Sequence, residues 1–406
     1  MGKTGINLVD VRTNNKLTIL RLLNANGAMS RKDIAAILKL TPAAVTILCN
    51  EIIREGMIVE KGEAEEEKRA GRKKMLIDIN FRYKYIIGIN IEPDYTYLNI
   101  ADLKGDSILV RKIQTDSLIA PKAYIQYLIH ECIKMLWEAN LKKEDILGVG
   151  VGIIGAVDVA NGVSKSAYAV WKEEVPIKDI IETELSLPVL VDNNVRASVL
   201  GEILYGKSRD IDNMLFVKWG PGVGSAVVIN REIYVGENFK SSSLGHFIVD
   251  RNGRLCRCGK RGCIETIACK EAVYAKIREI AEKEQSGELL RRLSGNLEKL
   301  DVENIFEYAD VQDAAIRDYM DSIIDTLAIS LGNAVTILSP QKVLLFGKAF
   351  ENPSLFRRFV ESYKAIHLES YREGMFTTSS IMQKVNYIGP VAIVADKMFF
   401  NPPGVL

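Results

Sequence analysis

The chain has 406 residues, 48% hydrophobic and 26% charged, the balance of a water-soluble globular protein with room for two or three domains. No apolar run approaches the ~20 residues that span a bilayer. The opening MGKTGINLVDVRTNNK holds no apolar signal stretch, so a cytoplasmic protein without membrane contact is expected. The net charge of +1 hides an asymmetry: residues 1–80 carry 14 Lys and Arg against 10 Asp and Glu, and the remainder 39 against 42. Four of those ten acids crowd between Glu63 and Glu67, so the rest of the first segment is distinctly basic. A small basic domain on a large acidic one suits a polyanionic partner.

In chain order, Leu17, Leu20 and Leu23 recur at helical spacing and stop at Asn26-Gly27, which predicts a helix over about 14–25. Ser30 is an N-cap for a second helix whose inner face holds Ile34, Ile37 and Leu38. Thr41-Pro42 opens a third, with a capping hydroxyl and a proline where its missing N–H costs nothing. In that helix Val45, Leu48 and Ile52 face inward, leaving Thr41, Ala43, Ala44, Thr46 and Asn50 outward. EGMIVE and KKMLIDIN then read as a strand and its return, with the acidic run at the tip.

Three helices and a two-stranded wing make a winged helix-turn-helix over residues 1–80. Its third helix enters a major groove, and small or polar side chains on the outer face permit close approach to base edges. Thr41, Ala43, Ala44, Thr46 and Asn50 are the expected base readers, while Arg31, Lys32, Arg72, Lys73 and Lys74 are expected to hold the phosphate backbone. A small helical docking module that binds only protein is the alternative.

From Tyr83 the pattern becomes α/β. YIIGINIE, DYTYLNIADL and SILVRKIQT are three β-rich runs, followed by a helix over 123–139, the apolar strand ILGVGVGIIG, a helix near 177–185 and the strand PVLVDNN. MLFVKWG, GSAVVIN and EIYVGE then repeat the three-strand pattern, with later long helices and the strand KVLLFG. Two three-strand meanders, each followed by helix and strand, predict two similar lobes: one over 81–205 joined by the C-terminal helix, the other over 206–385.

One of the three His and three of the six Cys lie in LGHFIVDRNGRLCRCGKRGCIE, residues 244–265. His246, Cys256, Cys258 and Cys263 are spaced H-x9-C-x-C-x4-C, four soft or borderline donors and no fifth, the inventory of a closed tetrahedral Zn2+ site. Gly253, Gly259 and Gly262 provide for tight turns around the metal. Cys49, Cys132 and Cys269 read as ordinary buried thiols.

The run GH-x9-C-x-C-G-x-x-G-C-x-E resembles the signature of the ROK family of bacterial repressors, open-reading-frame proteins and sugar kinases. GVGVGIIGAVD, VDNNVRASVLGE and GPGVGSAVVINREIYVGE follow the family's order, so the likeness spans essentially the full length. It implies a two-lobed actin-like (RNase H-like) fold behind an N-terminal winged helix, as in xylose-, glucose- and N-acetylglucosamine-responsive repressors. It also implies that His246 and Glu265 touch sugar hydroxyls, with Asn193, Asn194 and Ser243 lining the same site. The residues alone leave Glu265 open to a plainer reading, a solvated carboxylate at a helix start.

Against the family's kinases the chain departs at decisive places. Asn194, in Asp192-Asn193-Asn194, stands where they have the catalytic Asp, and a carboxamide cannot take a hydroxyl proton at neutral pH. Asn90-Ile91-Glu92-Pro93-Asp94 replaces the first phosphate loop with two acids, which oppose ATP. Gly347-Lys348 replaces the adenosine-side Gly-Gly, and only Gly220-Pro221-Gly222-Val223-Gly224 survives. Ser243 replaces the family's usual sugar-binding Glu. No catalytic residue is therefore expected. The expectation is a DNA-binding transcriptional regulator, a repressor of carbohydrate-utilisation genes controlled by a sugar or sugar phosphate, acting as a homodimer or homotetramer on a palindromic operator, with lobe closure changing the spacing of its reading heads. The alternatives are a sugar kinase with a fused DNA-binding domain, and a regulator controlled by a protein partner with a vestigial sugar pocket.

Overall fold

The computed structural model describes residues 8–63, 75–237, 239, 243–284 and 287–402. They divide into two compact units: 1–152 with 176–191 and 390–406, and 153–175 with 192–389.

The first unit opens with α1 (Leu8–Asn26), β1 (Met29–Ser30), α2 (Arg31–Leu38), α3 (Pro42–Arg54), β2 (Ile58–Glu63) and β3 (Met75–Ile79). Ser30 caps α2 by accepting from the Asp33 N–H, and Lys39 at φ 54° ends it in the left-handed conformation. Thr41 then caps α3 by accepting from the Ala44 N–H, and Pro42 takes the first helical position. The chain bends by 118° between α2 and α3. Ile19, Leu20, Leu23, Ile34, Val45 and Ile52 close over their core. β1, β3 and β2 form one antiparallel sheet in that order. The sequence signalled two strands; β1, two residues long, is too short to carry a periodic pattern.

The same unit continues with β4 (Tyr85–Ile91), β5 (Tyr95–Asp102), β6 (Ser107–Gln114), α4 (Pro121–Glu138) and β7 (Ile146–Ile153), and receives α5 (Ile177–Leu185) and β10 (Val189–Asn193). Its sheet order is β10-β7-β4-β5-β6, with β4 to β6 an antiparallel meander as expected. The glycines of ILGVGVG have a spatial reason. A Cβ at Gly150 would stand 1.9 Å from the Pro390 carbonyl oxygen, and one at Gly148 2.8 Å from Met398 Sδ. The C-terminal segment lies directly on β7. Arg21 of α1 also donates to the Phe400 carbonyl at 2.9 Å.

The second unit holds β8 (Ala156–Asp158), β9 (Val163–Ser166), α6 (Asn194–Tyr205), β11 (Met214–Trp219), β12 (Val223–Ile229), β13 (Glu232–Ile233), α7 (Glu265–Ala268), α8 (Lys270–Glu284), α9 (Gly287–Arg292), α10 (Ile305–Tyr308), α11 (Ala314–Leu338), β14 (Lys342–Phe346), α12 (Lys348–Glu351), α13 (Pro353–Ile366) and β15 (Phe376–Thr378); α14 (Val385–Val394) leads to the C-terminus. Its sheet order is β13-β12-β11-β14-β15, antiparallel through β13, β12 and β11 and parallel through β14 and β15. Trp219, fully buried, meets Phe306 and Phe350 edge-on and donates its indole N–H to the Ala268 carbonyl. By length and composition α11 is apolar enough to cross a membrane, but Ile316, Met320, Ile323, Leu327 and Leu331 are buried in this core.

Glu202, buried near the end of α6, accepts from Ser208, Ser379 and Ser380 hydroxyls and from the Lys207 and Ser380 backbone N–H groups. A buried carboxylate is costly unless hydrogen-bonded throughout, and these donors meet that requirement. It fastens the end of α6 to the Ser379-Ser380 segment.

Candidate functional site

The loop that carries His246 and the three cysteines is anchored at Leu244, whose N–H donates to Ser225 Oγ of β12 at 2.8 Å. The chain then doubles back on itself: Val249 donates to the Gly262 carbonyl, Gly262 to that of Arg254, and Cys256 to that of Lys260. These turns bring one donor atom each from His246, Cys256, Cys258 and Cys263 within 4.8 Å of one another. Cys256 Sγ lies 3.7 Å from His246 Nδ1, and Cys258 Sγ 3.6 Å from Cys263 Sγ. A tetrahedral ion with ligand bonds of about 2.0–2.3 Å separates its ligand atoms by roughly 3.5–3.8 Å, so the four residues fit such a metal. Burial raises the Cys256 and Cys263 thiols, Cys263 to about 12. Burial also presses Cys258 upward, but the Lys260 N–H and neighbouring thiols prevail and hold it below its ordinary value.

Of the three glycines expected to turn the loop, Gly259 and Gly262 have φ of 89° and 69°. Gly253 serves by size instead, since a Cβ there would stand 2.8 Å from Gly262 Cα.

Glu265 heads α7 directly after the last cysteine. Its Oε2 accepts the Val223 N–H at 2.7 Å. A Cβ at Gly222 would reach 2.5 Å from Oε1, and one at Gly245 3.1 Å from Oε2. The carboxylate is therefore wedged into the Gly220–Gly224 turn, and is not the solvated helix-start group of the plainer reading. Burial raises its pKa to about 7, against the lowering pull of the Val223 N–H.

Asn193 caps α6: its Oδ1 accepts from the Val195 and Arg196 N–H groups, and its Nδ2 donates to the Gly155 carbonyl at 2.9 Å. Its amide thus bonds to backbone at both ends. Asn194 follows as the first, buried residue of α6. Val195 packs so closely on Gly224 that a Cβ there would come within 2.7 Å of it. The start of α6, the start of β12, Glu265 and the Gly245-His246 pair are joined in this way at one end of the second unit's sheet, with Ser243 just before the anchored Leu244. Tyr168, which the sequence did not single out, meets the His246 ring edge-on at 5.5 Å. Its only signal was an aromatic ring among small residues in Ser166-Ala167-Tyr168-Ala169.

The remaining thiols are Cys49 and Cys132, buried, and Cys269, half-buried; burial raises them to about 11, 12 and 12. In the first unit the Glu92 backbone lies in the β4–β5 turn, where its carbonyl accepts from Thr115 Oγ1. Its buried carboxylate accepts from Asn90 Nδ2 at 3.3 Å.

On α3, Thr41, Ala43, Thr46 and Asn50 are exposed and Ala44 is half-buried. Ile47, absent from the expected set, is 57% exposed on the same face. Thr46 donates its hydroxyl to the Pro42 carbonyl at 2.7 Å. Arg31, expected at phosphate, instead pairs with Glu60 of β2 at 2.9 Å and donates to Asn50 Oδ1 at 3.3 Å. Lys32 is exposed. Glu51 of α3 and Glu55, the residue just past its end, are paired with Arg12 and Lys16 of α1. Arg72, Lys73 and Lys74 lie outside the described residues.

Residues 86–397 match the ROK family. The chain is 30% identical over 397 residues to a putative xylose repressor of Caldicellulosiruptor sp. (strain Rt8B.4), covering 96% of this chain and 97% of that protein. It is 23% identical over 403 residues to the DNA-binding transcriptional dual regulator NagC of Escherichia coli (strain K12), covering 98% and 96%. Among solved structures, a ROK family transcriptional regulator described as a homolog of the E. coli MLC protein superposes with a TM-score of 0.73 at 21% identity, covering 95% of this chain and 97% of that one. A ROK glucokinase from Streptomyces griseus superposes with a TM-score of 0.67 at 20% identity, covering 76% of this chain and 98% of that one. The α/β fold is that of these actin-like proteins. With the cysteine motif gathered into one four-donor cluster and the family match running through both sheets, the chain belongs to the ROK family.

Proposed function

We propose that this protein is a cytoplasmic transcriptional repressor of carbohydrate-utilisation genes, released from its operator by a sugar or sugar phosphate. The observation that carries this is the capped α2–α3 pair with Ala43, Thr46 and Asn50 exposed on α3, in a chain similar over nearly its whole length to a putative xylose repressor. Residues 1–80 are its winged helix-turn-helix, and 81–406 its sensing region. Thr41, Ala43, Ala44, Thr46 and Asn50 face base edges. Lys32 with Arg72, Lys73 and Lys74 meets phosphates, while Arg31 joins the wing to Asn50. Two such heads in a homodimer or homotetramer read a palindrome.

The His246, Cys256, Cys258 and Cys263 cluster holds structural Zn2+, which when bound fixes the loop that carries His246. The His246 ring, with Nδ1 beside Cys256 Sγ and Tyr168 against it, would hold the ion through one nitrogen and offer the other to the sugar. Asn194, Ser243 and Glu265 complete the sugar's polar lining, with Asn193 holding the start of α6 in place. Only a difference in sugar affinity between DNA-bound and free protein can release the operator. Asn194 in place of a carboxylate removes the proton acceptor that sugar phosphorylation needs.

Fluorescence anisotropy with promoter fragments of carbohydrate genes, titrated with a panel of sugars and sugar phosphates, tests the proposal. Sequence-specific retention relieved by one of them is expected; no preference over random duplex overturns it. In a thermal-shift screen an effector at 100 times its Kd stabilises by about 2.7 kcal/mol. ADP release with any sugar overturns the non-enzymatic reading.

A further inference from the structure

The outer face of α3 has an unusual chemistry for a polar surface: it is largely methyl. Thr46 has turned its hydroxyl back to the Pro42 carbonyl, so what it directs outward is its γ-methyl. Ala43 one turn before contributes only a Cβ, and Ile47, 57% exposed, adds the largest apolar group on this face. An isoleucine so exposed on a short amphipathic helix has no folding role, because Val45, Leu48 and Ile52 already fill the inner face. The polar member is Asn50, whose Oδ1 accepts from Arg31 and whose amide N–H groups remain to donate outward. The one carboxylate within α3, Glu51, is turned to Arg12 and Lys16 of α1.

In a major groove only one base carries an apolar group, the C5-methyl of thymine, and apolar side chains discriminate by burying it. We infer that Ile47, with Ala43 and the Thr46 methyl beside it, is a specificity-determining residue that reads thymine methyls, so that each operator half-site has a thymine opposite α3. This rests on the DNA-binding reading proposed above and names the base that reading requires. Asn50, one turn further on, donates to an acceptor on a neighbouring base edge, N7 of a purine, O6 of guanine or O4 of thymine.

The test uses the full-length protein and a random-sequence duplex library. Selected duplexes are then resynthesised with deoxyuridine for thymine, which removes the methyl and nothing else. For wild type, loss of one methyl at the contacted thymine is expected to weaken binding about fourfold, the worth of one buried methyl-sized group. Ile47→Ala is expected to lose most of that difference between the thymine and deoxyuridine duplexes, since the methyl has lost its largest partner; the double-mutant cycle isolates that pair. Because Ile47 is exposed, the variant keeps the wild-type unfolding profile, which is measured alongside. If wild type binds both duplexes equally at every position, or if Ile47→Ala keeps the full penalty, the methyl-reading assignment is overturned while selection of a sequence still supports DNA binding. If no sequence is enriched, the DNA-binding reading falls, and this inference with it.

Discussion

Replacing Gly262 with alanine, against the same change at Gly259, separates backbone strain from steric conflict within one loop. Both glycines have positive φ, 69° and 89°, so an added Cβ costs each roughly 1–2 kcal/mol of backbone strain. Their surroundings differ. A Cβ at Gly259 meets nothing within 4 Å, whereas one at Gly262 would stand 1.5 Å from the Asp250 carbonyl oxygen. Backbone cannot yield as a flexible side chain does, so the strands of the loop must part. The bonds at stake are Val249 N–H and Asp250 N–H to Gly262 O, and Gly262 N–H to Arg254 O. At about 1 kcal/mol each, their loss makes Gly262→Ala roughly 3 kcal/mol worse than Gly259→Ala. Cys263 is the next residue, so this penalty falls on metal binding: about 100-fold weaker retention than in Gly259→Ala. The assay is metal content after equilibration with a graded chelator, read by elemental analysis. Equal retention by the two variants would refute the reasoning, because it would mean that the 250–262 contact does not hold the ligands in place.

Removing the metal from the wild type with chelator is expected to speed amide exchange at Val249, Cys256 and Gly262 while β11, β12 and β14 stay protected; unchanged loop protection in metal-free protein would contradict a metal-dependent loop. Glu202→Ala leaves three serine hydroxyls and the Ser380 backbone N–H without their carboxylate acceptor, while the Lys207 N–H keeps Ser380 Oγ, and should cost roughly 3–5 kcal/mol in denaturant unfolding, so an unshifted midpoint would dismiss the carboxylate as a tie point. Ser30→Ala removes the α2 cap at about 1 kcal/mol, seen as lost exchange protection at the Asp33 amide; protection retained in full would show that other contacts start the helix. Tyr168→Leu is expected to weaken effector binding three- to tenfold, the worth of an edge-on aromatic contact, with metal content unchanged; unaltered affinity would remove Tyr168 from the site.

Local chemistry was legible wherever a residue type has one dominant use. Ser30, Thr41 and Pro42 marked two helix starts because capping acts within three residues. The H-x9-C-x-C-x4-C spacing located a four-donor cluster that could hold a metal ion, because four donors in one short loop have little else to hold. The two meanders, β4 to β6 and β11 to β13, followed from period-two patterning and turn residues, both local signals. Helix ends were less legible: α1 is already helical at Leu8, about two and a half turns before Leu17, the first leucine of its pattern.

What sequence could not assign is which of two chemically equivalent uses a side chain takes. Arg31 reads equally well as a phosphate contact or an ion-pair partner, and only the approach of β2 and α3 to the start of α2 gave it Glu60 and Asn50. Glu265 reads as a solvated helix-start acid or a ligand group, until Gly222 and Gly245 leave room for its carboxylate against Val223. Asn193 looked like lining and is also a cap and a tether, because α6 starts where Gly155 passes. Ile47 was counted with neither face of α3, and Tyr168 lies far in sequence from the His246 it touches. Caps, turns and metal loops are decided within a few residues, so the chain alone determined them. The partner of a long or charged side chain is decided by segments brought together from distant parts of the chain, and only the tertiary structure placed those.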